Sequence, residues 1–506
     1  MSIELLTALG AMFEPTTFFF LTLGVFVGIV AGAIPGINGA MVIALSLPLT
    51  YFMRPGDALV LLVAMYVGST TGGLISATLM KMPGTPAAIM TTLDGFPMAR
   101  RGQAGRALGI GIMSSFIGGL ISWVFLATLS PPLAEIAVRF GPFEIFSITL
   151  VALMLIAAIS QGSMVKGLLS GVLGAIAATV GVDPASGGVR LTFGYGEMDA
   201  GFRLISVLLG VLVLSQVAED YRMLHLPVEK IRTSTRDMFM RLGEMRAQTW
   251  NFIRSSLVGT WIGILPGIGG TTASIAAYTV AKSFSRRSSE FGTGCEDGIV
   301  AAESSNNAAV NGALVPLITL GIPGSVVDVM LLGALIIHNL TPGPLLFQNS
   351  PEAAYGIIAS ALVANFVMLG MMLVLTPYIA RLIDVPKKWI LAPIVVFCII
   401  GAYSEANRFF DVWVMLGFAI VGFLMSRHRI PAGPFIIGFI LTPIAEVNLR
   451  SGLMISDGSF WPLVNRPISA IFLVFAVVTA CWPFIQGYMA RRRMVPKAGE
   501  APGSDR

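Results

Sequence analysis

The chain has 506 residues, of which 55% are hydrophobic and only 12% are charged. Soluble domains carry about 25% charged residues, so this composition excludes an ordinary soluble enzyme. Mean hydropathy is +0.82, and apolar runs long enough to cross a bilayer recur along the chain. The net charge of +5 comes from basic residues clustered between these runs, which indicates membrane topology rather than nucleic-acid binding. We therefore expect an all-α polytopic membrane protein.

The apolar runs predict membrane spans in two sets, beginning with 16–34 and 39–53, and several of them are short. The first basic residue is Arg54, so the first run lacks the positive flank of a cleavable signal and is expected to be retained. With a periplasmic N-terminus and a cytoplasmic C-terminus, every basic cluster falls on the cytoplasmic side. Four regions follow: a first membrane repeat (1–218), a cytoplasmic linker (219–250), a second membrane repeat (251–490) and a cytoplasmic tail (491–506).

Two motifs occur in the same order in both halves. Residues 28–39 match residues 259–270, and residues 83–85 match residues 323–325. Basic residues follow the second motif only in the first half and follow the first motif mainly in the second half, which indicates an inverted topology. Inverted repeats with Gly- and Pro-interrupted segments at matching positions are typical of secondary transporters with a site near the bilayer midplane. The placement of every basic cluster on the cytoplasmic side holds only if 323–350 form a re-entrant hairpin on the outer side.

The first motif is expected to break its helix in each half, because proline lacks an N–H group and glycine permits non-helical dihedrals. A broken span presents N–H groups that attract carboxylates and carbonyl groups that coordinate cations. Substrate contacts are predicted at Asn38, Gly39, Gly270 and Thr271. Coupling-ion contacts are predicted at Pro35, Gly36, Pro266 and Gly267. A kink that only improves packing is the alternative, which duplication in both halves disfavours.

The second motif places a hydroxyl group beside each break. Substrate contacts are predicted at Gly84, Thr85, Gly324 and Ser325, because the two hydroxyls can donate to an anionic oxygen. The alternative is that Thr85 and Ser325 cap helices, which is the commoner role of these residue types at a helix start. The two interpretations are compatible.

The most polar stretch beside an apolar run is 303–307 with Asn311. Asn306 and Asn307 are predicted coupling-ion ligands, since amide oxygens suit a hard cation such as sodium. Interhelical hydrogen bonding is an equally open alternative. Asp94 and Arg106 are interpreted as anchors of a loop near the inner membrane surface rather than as a gate.

No sequence pattern indicates catalysis or direct use of ATP. A Gly-rich phosphate loop, an H-E-x-x-H motif and a Ser-His pair within a span are all missing from the sequence. The three cysteines and three histidines stand singly, without the spacing of a disulfide framework or a metal site. Transport would therefore use an ion gradient, and a channel or a transporter working alone is the alternative.

The combination of motifs resembles the large membrane subunit of the tripartite tricarboxylate transporters. The likeness spans about residues 15–490 and rests on 33–39, 82–98, 104–109, 263–270, 303–307 and 319–325. This resemblance implies an importer of citrate or other carboxylates in the bacterial inner membrane, driven by a Na⁺ or H⁺ gradient. It also implies two partners, namely a small membrane subunit and a periplasmic solute-binding protein that captures the substrate.

Overall fold

The computed structural model describes residues 3–159, 164–183, 186–222, 238–382 and 388–494. Helices fill most of these ranges, and the strands found in them form one short antiparallel pair, Gly181–Val182 with Val189–Arg190. Seven helical segments of the described chain are long and apolar enough to cross a membrane, and two of them join shorter helices through a π turn. This architecture confirms the predicted all-α polytopic membrane fold.

The first half of the described chain contains ten helices. They are α1 (Ile3–Ala11), α2 (Pro15–Ala33), α3 (Gly39–Thr50), α4 (Pro55–Met80), α5 (Thr91–Met98), α6 (Ala104–Ala137), α7 (Pro142–Ile159), α8 (Met164–Ala178), α9 (Leu204–Leu208) and α10 (Ser215–Arg222). Short 3₁₀ or π turns occur at Pro86–Ile89, Ala99–Gln103, Gly196–Met198 and Leu209–Leu214.

The second half of the described chain contains eleven helices. They are α11 (Leu242–Ile264), α12 (Gly269–Phe284), α13 (Glu296–Leu320), α14 (Val326–Ile337), α15 (Pro344–Asn349), α16 (Pro351–Leu382), α17 (Lys388–Ser404), α18 (Phe409–Arg427), α19 (Ala432–Ile455), α20 (Trp461–Asn465) and α21 (Pro467–Met494), with a 3₁₀ turn at Ser288–Glu290. Helix α11 begins inside the predicted linker. Residues 223–237 of that linker and 495–506 of the predicted tail lie outside the described residues.

Helices α2 and α3 are the two arms of one re-entrant hairpin. Thr17 near the start of α2 donates a 2.8 Å hydrogen bond to Asp57 near the start of α4, so both helices begin on the same side. Gly36 turns the chain with a φ of +99°, and the 12-residue α3 then runs back toward α4. The predicted span 16–34 corresponds to α2, which is long and apolar enough to cross a membrane. The short run 39–53 forms α3, which has fewer than the ~20 residues a crossing needs.

Helices α11 and α12 build the same hairpin in the second half. Gln248 donates a 2.6 Å hydrogen bond to Asp297, so α11 and α13 also begin on a common side. The chain turns between α11 and α12, with φ values of +77° at Gly267 and +68° at Gly269. These left-handed conformations explain why both halves carry glycine at the turn.

Glycines bring α2 against α4, and α11 against α13, at backbone contact. A β-carbon at Gly28 would lie 2.5 Å from the carbonyl oxygen of Met65, and one at the matching Gly259 would collide with that of Ser305. Gly24, Gly28 and Gly32 form a small-residue face of α2 that packs against α4. Because matched glycines make matched contacts, the sequence repeat is also a structural repeat.

Each half has a second re-entrant hairpin. A β-carbon at Gly321 would lie 3.4 Å from the backbone nitrogen of Gly343, so the chain leaves α13 and returns to the same place after forming α14. This geometry confirms the hairpin predicted within 323–350. In the first half the chain turns back after α4, and Gly95 on α5 packs against Thr78 near the end of α4.

The remaining long helices join the two repeats. Asn365 on α16 donates a 2.9 Å hydrogen bond to the carbonyl of Phe116 on α6, and α6 also packs closely on α13 through Gly118. Farther out, Gly174 on α8 contacts α19, and Gly210 in the turn before α10 contacts α18. The turn before α10 supplies one wall of the cavity described next, together with α10, α18 and α19.

Candidate functional site

The four hairpin tips surround a cavity of about 550 Å³. The first-motif tips contribute Asn38 and Thr271, and the second-motif tips contribute Thr85 and Ser325. The rest of the wall comes from α4, α10, α18 and α19 and the segments next to them. Its polar residues and one of its prolines are Tyr66, Ser69, Thr70, Ser215, Gln216, Ser426 and Pro431. The volume suits a small-molecule ligand.

Each first-motif tip meets the second-motif tip of the other repeat. A β-carbon at Gly270 would lie 3.3 Å from the β-carbon of Ala87, and one at Gly39 would lie 4.0 Å from the side chain of Val327. These two contacts occupy equivalent positions in the repeats. Consequently, neither repeat forms the cavity alone.

The structure places the predicted site residues in two groups. Those that line the cavity are Asn38, Gly39, Thr85, Gly267, Gly270, Thr271, Asn306 and Ser325. Those outside the described lining are Pro35, Gly36, Gly84, Pro266, Gly324 and Asn307. The glycines of the second group permit close packing: a β-carbon at Gly84 would collide with the carbonyl oxygen of Gly32, and one at Gly324 would lie 2.9 Å from that of Gly263.

The polar groups facing the cavity are uncharged. The N-termini of α3, α12 and α14 lie at its edge, and none of its described lining side chains is ionisable as a carboxylate, ammonium or guanidinium group. Asn38 caps α3 by accepting a 2.9 Å hydrogen bond from the N–H of Met41. The hydroxyl of Thr85 and both amide atoms of Asn306 are buried without a hydrogen-bond partner. The site therefore has free donors and acceptors and the positive ends of three helix dipoles.

Asn306 and Asn307 play different parts although they are adjacent. The side-chain oxygen of Asn307 accepts a 2.8 Å hydrogen bond from Thr71. Glu303 accepts from Thr91 at 2.5 Å and from Ser115 at 3.1 Å. The side-chain amide of Asn311 donates a 2.8 Å hydrogen bond to the carbonyl of Gly119 on α6. This face of α13 makes interhelical hydrogen bonds, whereas Asn306 on the next face lines the cavity.

Sequence reasoning missed Tyr66 and Asp328. The Tyr66 hydroxyl lies 3.1 Å from the hydroxyl of Ser325, and Ser325 donates a 2.6 Å hydrogen bond to Asp328. The available signals were the S-x-x-D capping pattern at the start of α14 and a lone acid in an apolar run. Tyr66 occupies the repeat position that matches Asn306, and its own surroundings in the sequence are apolar.

Asp94 anchors a loop of the other repeat. One carboxylate oxygen accepts hydrogen bonds of 2.9, 2.8 and 2.8 Å from the backbone N–H groups of Gly292, Gly294 and Cys295. The other oxygen accepts a 2.7 Å hydrogen bond from the Tyr278 hydroxyl. The anchoring role predicted for Asp94 is confirmed.

Arg106 makes a comparable connection between the repeats. Its guanidinium group contacts Glu296 at the start of α13 at 3.0 Å and Glu244 at the start of α11 at 2.8 Å. A planar guanidinium with several donors suits such a double contact. Arg106 and Asp94 therefore fix α5 and α6 to the second repeat, outside the cavity.

Two inverted repeats, each with two re-entrant hairpins whose tips meet around an internal cavity, are typical of polytopic membrane transporters. The family comparison agrees with this class. The model of the tripartite tricarboxylate transporter TctA family matches residues 18–437, and the chain belongs to that family. It is thus a transporter subunit of the tricarboxylate transporter type.

Two relatives from Agrobacterium vitis are similar to this chain. One, described as "Uncharacterized 52.8 kDa protein in TAR-I ttuC' 3'region", is 35% identical over 484 residues, which is 94% of this chain and 95% of the relative. Another, described as "Uncharacterized protein in TAR-II ttuC' 3'region", is 35% identical over 237 residues, covering 47% of this chain and 98% of that relative. No solved structure matches the chain.

The cavity-facing hydroxyls provide the first test of the site. Thr85→Ala and Ser325→Ala are each expected to raise the carboxylate concentration for half-maximal uptake by about 3- to 10-fold, the effect of one lost hydrogen bond of roughly 1 kcal/mol. Uptake by the assembled transporter measures this change. Thr279→Ala is the control, because that exposed hydroxyl bonds only to its own helix. Unchanged half-saturation in both cavity variants would contradict the assignment.

Proposed function

We propose that this chain is the large membrane subunit of a tripartite importer of tricarboxylates or related carboxylates, driven by an ion gradient. The observation that carries the proposal is the cavity itself, in which helix N-termini and unpartnered polar groups meet. N–H groups and helix dipoles at such positions favour negatively charged ligands. The family to which the chain belongs supports tricarboxylates as the substrate class.

A carboxylate in this cavity would be bound without an arginine or lysine side chain. Among the described lining residues there is no basic side chain, so a bound carboxylate would be held by backbone N–H groups and by the side chains of Asn38, Thr85, Thr271 and Asn306. An anion held in this way leaves net negative charge inside the membrane, which is costly. We propose that a co-transported Na⁺ or H⁺ offsets that charge and supplies the driving force.

The two further subunits follow from the same proposal. The chain would work with a small membrane subunit and a periplasmic solute-binding protein, as the name of its family describes a tripartite system. The binding protein would capture the carboxylate outside the bacterial inner membrane and deliver it to the cavity. High-affinity uptake would therefore require all three components.

Reconstitution tests this proposal. The three-component complex in proteoliposomes, given radiolabelled citrate, isocitrate, malate and succinate in turn, is expected to accumulate at least one of them under an imposed Na⁺ or pH gradient. Omitting the binding protein should abolish high-affinity uptake. Full uptake by this chain alone would favour a stand-alone transporter, non-saturable flux would favour a channel, and uptake of no carboxylate would refute the proposal.

The orientation in the membrane has its own test. We propose a periplasmic N-terminus and a cytoplasmic C-terminus, because basic residues then cluster on the cytoplasmic side. In a background lacking Cys295, Cys398 and Cys481, a membrane-impermeant thiol reagent should label Gly10→Cys in intact spheroplasts. It should label Gly499→Cys only after permeabilisation. Labelling of position 499 in intact spheroplasts would contradict the orientation.

A further inference from the structure

A buried carboxylate lies beside the cavity and has no ionic partner among the described residues. Asp328 is 0% exposed, and its Oδ1 atom has no hydrogen-bond partner. Its Oδ2 atom accepts a 2.6 Å hydrogen bond from the Ser325 hydroxyl, which in turn lies 3.1 Å from the Tyr66 hydroxyl. Because Ser325 and Tyr66 both line the cavity, two hydroxyls connect Asp328 to the ligand space.

The helices around α14 offer this carboxylate no compensating charge. Those packed on α14 include α3, α4, α13 and α19, and α9 contacts it at Gly333. Helices α3 and α9 carry no titratable residue. The titratable groups on the others are Asp57 and Tyr66 on α4, Glu296, Asp297 and Glu303 on α13, and Glu446 and Arg450 on α19.

Most of these groups are engaged elsewhere. Asp57 accepts a hydrogen bond from Thr17, and Glu303 accepts from Thr91 and Ser115. At the start of α13, Glu296 pairs with Arg106 and Asp297 pairs with Arg287. On α19, Glu446 pairs with Arg190 and Arg450 pairs with Asp183. Of the titratable groups on the helices packed against α14, Tyr66 is the one with a described contact to the Ser325–Asp328 pair.

Helix capping does not account for the acid. Ser325 caps α14 by accepting from the N–H of Asp328 at 3.4 Å, and the carboxylate could complete a capping box. However, the equivalent tip of the first repeat has Ala88 three residues after Thr85, so a tip of this kind forms without an acid. A cap would also leave the Oδ1 atom of Asp328 buried and unpartnered, which is unfavourable for a charged group.

We propose that Asp328 binds the coupling proton, in linkage with anion binding in the cavity; this inference rests on the proposed function. A bound carboxylate and an ionised Asp328 would place two uncompensated negative charges in one buried region, so each favours removal of the other. Protonation of the Asp328 carboxylate to the neutral acid relieves this repulsion. By reciprocity, anion binding promotes proton binding to the same degree that proton binding promotes anion binding. The Tyr66 and Ser325 hydroxyls supply the route from the cavity.

The test measures protons and anion affinity in the purified three-component complex. Citrate is added at a pH where the free anion is fully ionised, in weakly buffered, sodium-free solution with a pH indicator. The wild-type complex is expected to take up one proton for each citrate bound, and its citrate affinity should fall about tenfold for each unit of rising pH. Asp328→Asn should take up none and bind citrate with a pH-independent affinity. Glu303→Gln, which changes a buried acid outside the cavity lining, should behave as the wild type.

A second variant covers a failure of Asp328→Asn to fold. Asp328→Glu keeps an ionisable group in altered geometry, so its pH profile should move relative to the wild type. An unmoved profile, proton uptake that survives Asp328→Asn, or sodium-dependent binding without proton uptake would each overturn the inference. A complex that binds and transports no carboxylate would instead contradict the proposed function, so the two failures are distinguishable.

Discussion

Gly84→Val is expected to reduce carboxylate uptake to background while the chain still inserts into the membrane. A β-carbon at Gly84 would collide with the carbonyl oxygen of Gly32 and would lie 2.6 Å from the Ser76 hydroxyl. Backbone atoms cannot yield as a flexible side chain can, so the second-motif tip must move. Thr85, which lines the cavity, would move with it. Uptake by the reconstituted complex, together with the amount of membrane-inserted chain, measures the effect.

The second repeat supplies a companion variant and the chain supplies a control. Gly324→Val is expected to have the same effect, because its β-carbon would lie 2.7 Å from the β-carbon of Ala313 and 2.9 Å from the carbonyl oxygen of Gly263. Gly370→Val introduces the same side chain on α16 where nothing lies within 4 Å of the added β-carbon. It should transport normally. Wild-type uptake in both tip variants would remove the hairpin tips from the transport site.

Asp94→Ala is expected to destabilise the folded protein by about 3–5 kcal/mol, since three backbone N–H groups and the Tyr278 hydroxyl lose a charged acceptor that is 0% exposed. Asp94→Asn keeps one carbonyl oxygen for the loop of Gly292, Gly294 and Cys295, so its cost should be smaller, roughly 1–2 kcal/mol. Thermal unfolding of the purified complex in detergent ranks the variants.

The matched comparison for Asp94 is Tyr278→Phe, which removes only the hydrogen bond to the second carboxylate oxygen. Its midpoint should fall between those of the wild type and Asp94→Ala. If Asp94→Ala unfolds at the wild-type temperature, the contacts between α5 and the loop before α13 do not stabilise the protein. The anchoring role would then be incorrect.

The sequence predicted the repeat, its inversion and the four breaks, because each break carries a Pro-Gly pair, which disfavours continuation of a helix. It did not separate hairpin arms from spans. The run Gly39–Thr50 has the hydropathy of a span, and only its return alongside α4 shows that it is an arm. The charge pattern on both sides of the segment after Pro323 constrains the topology, and it therefore predicts the hairpin that this segment forms.

Side-chain roles were harder to predict than backbone breaks. Asn306 and Asn307 have the same chemistry and adjacent positions, and their different roles depend on which neighbouring helix each one faces. Asp328 lies in an apolar stretch, and its importance depends on Tyr66, which a different repeat contributes. The wall from α10, α18 and α19 has no motif because backbone and small side chains form much of it.

Substrate protection is the most direct test of the proposed cavity site. Thr271→Cys places a thiol in the cavity lining, and Ser283→Cys places one on the exposed part of the same helix, both in a background without the native cysteines. The carboxylate that the complex transports best should slow maleimide labelling at position 271 in proportion to its occupancy, and leave labelling at position 283 unchanged. Equal labelling rates at position 271 with and without a saturating carboxylate would contradict a binding site between the four tips.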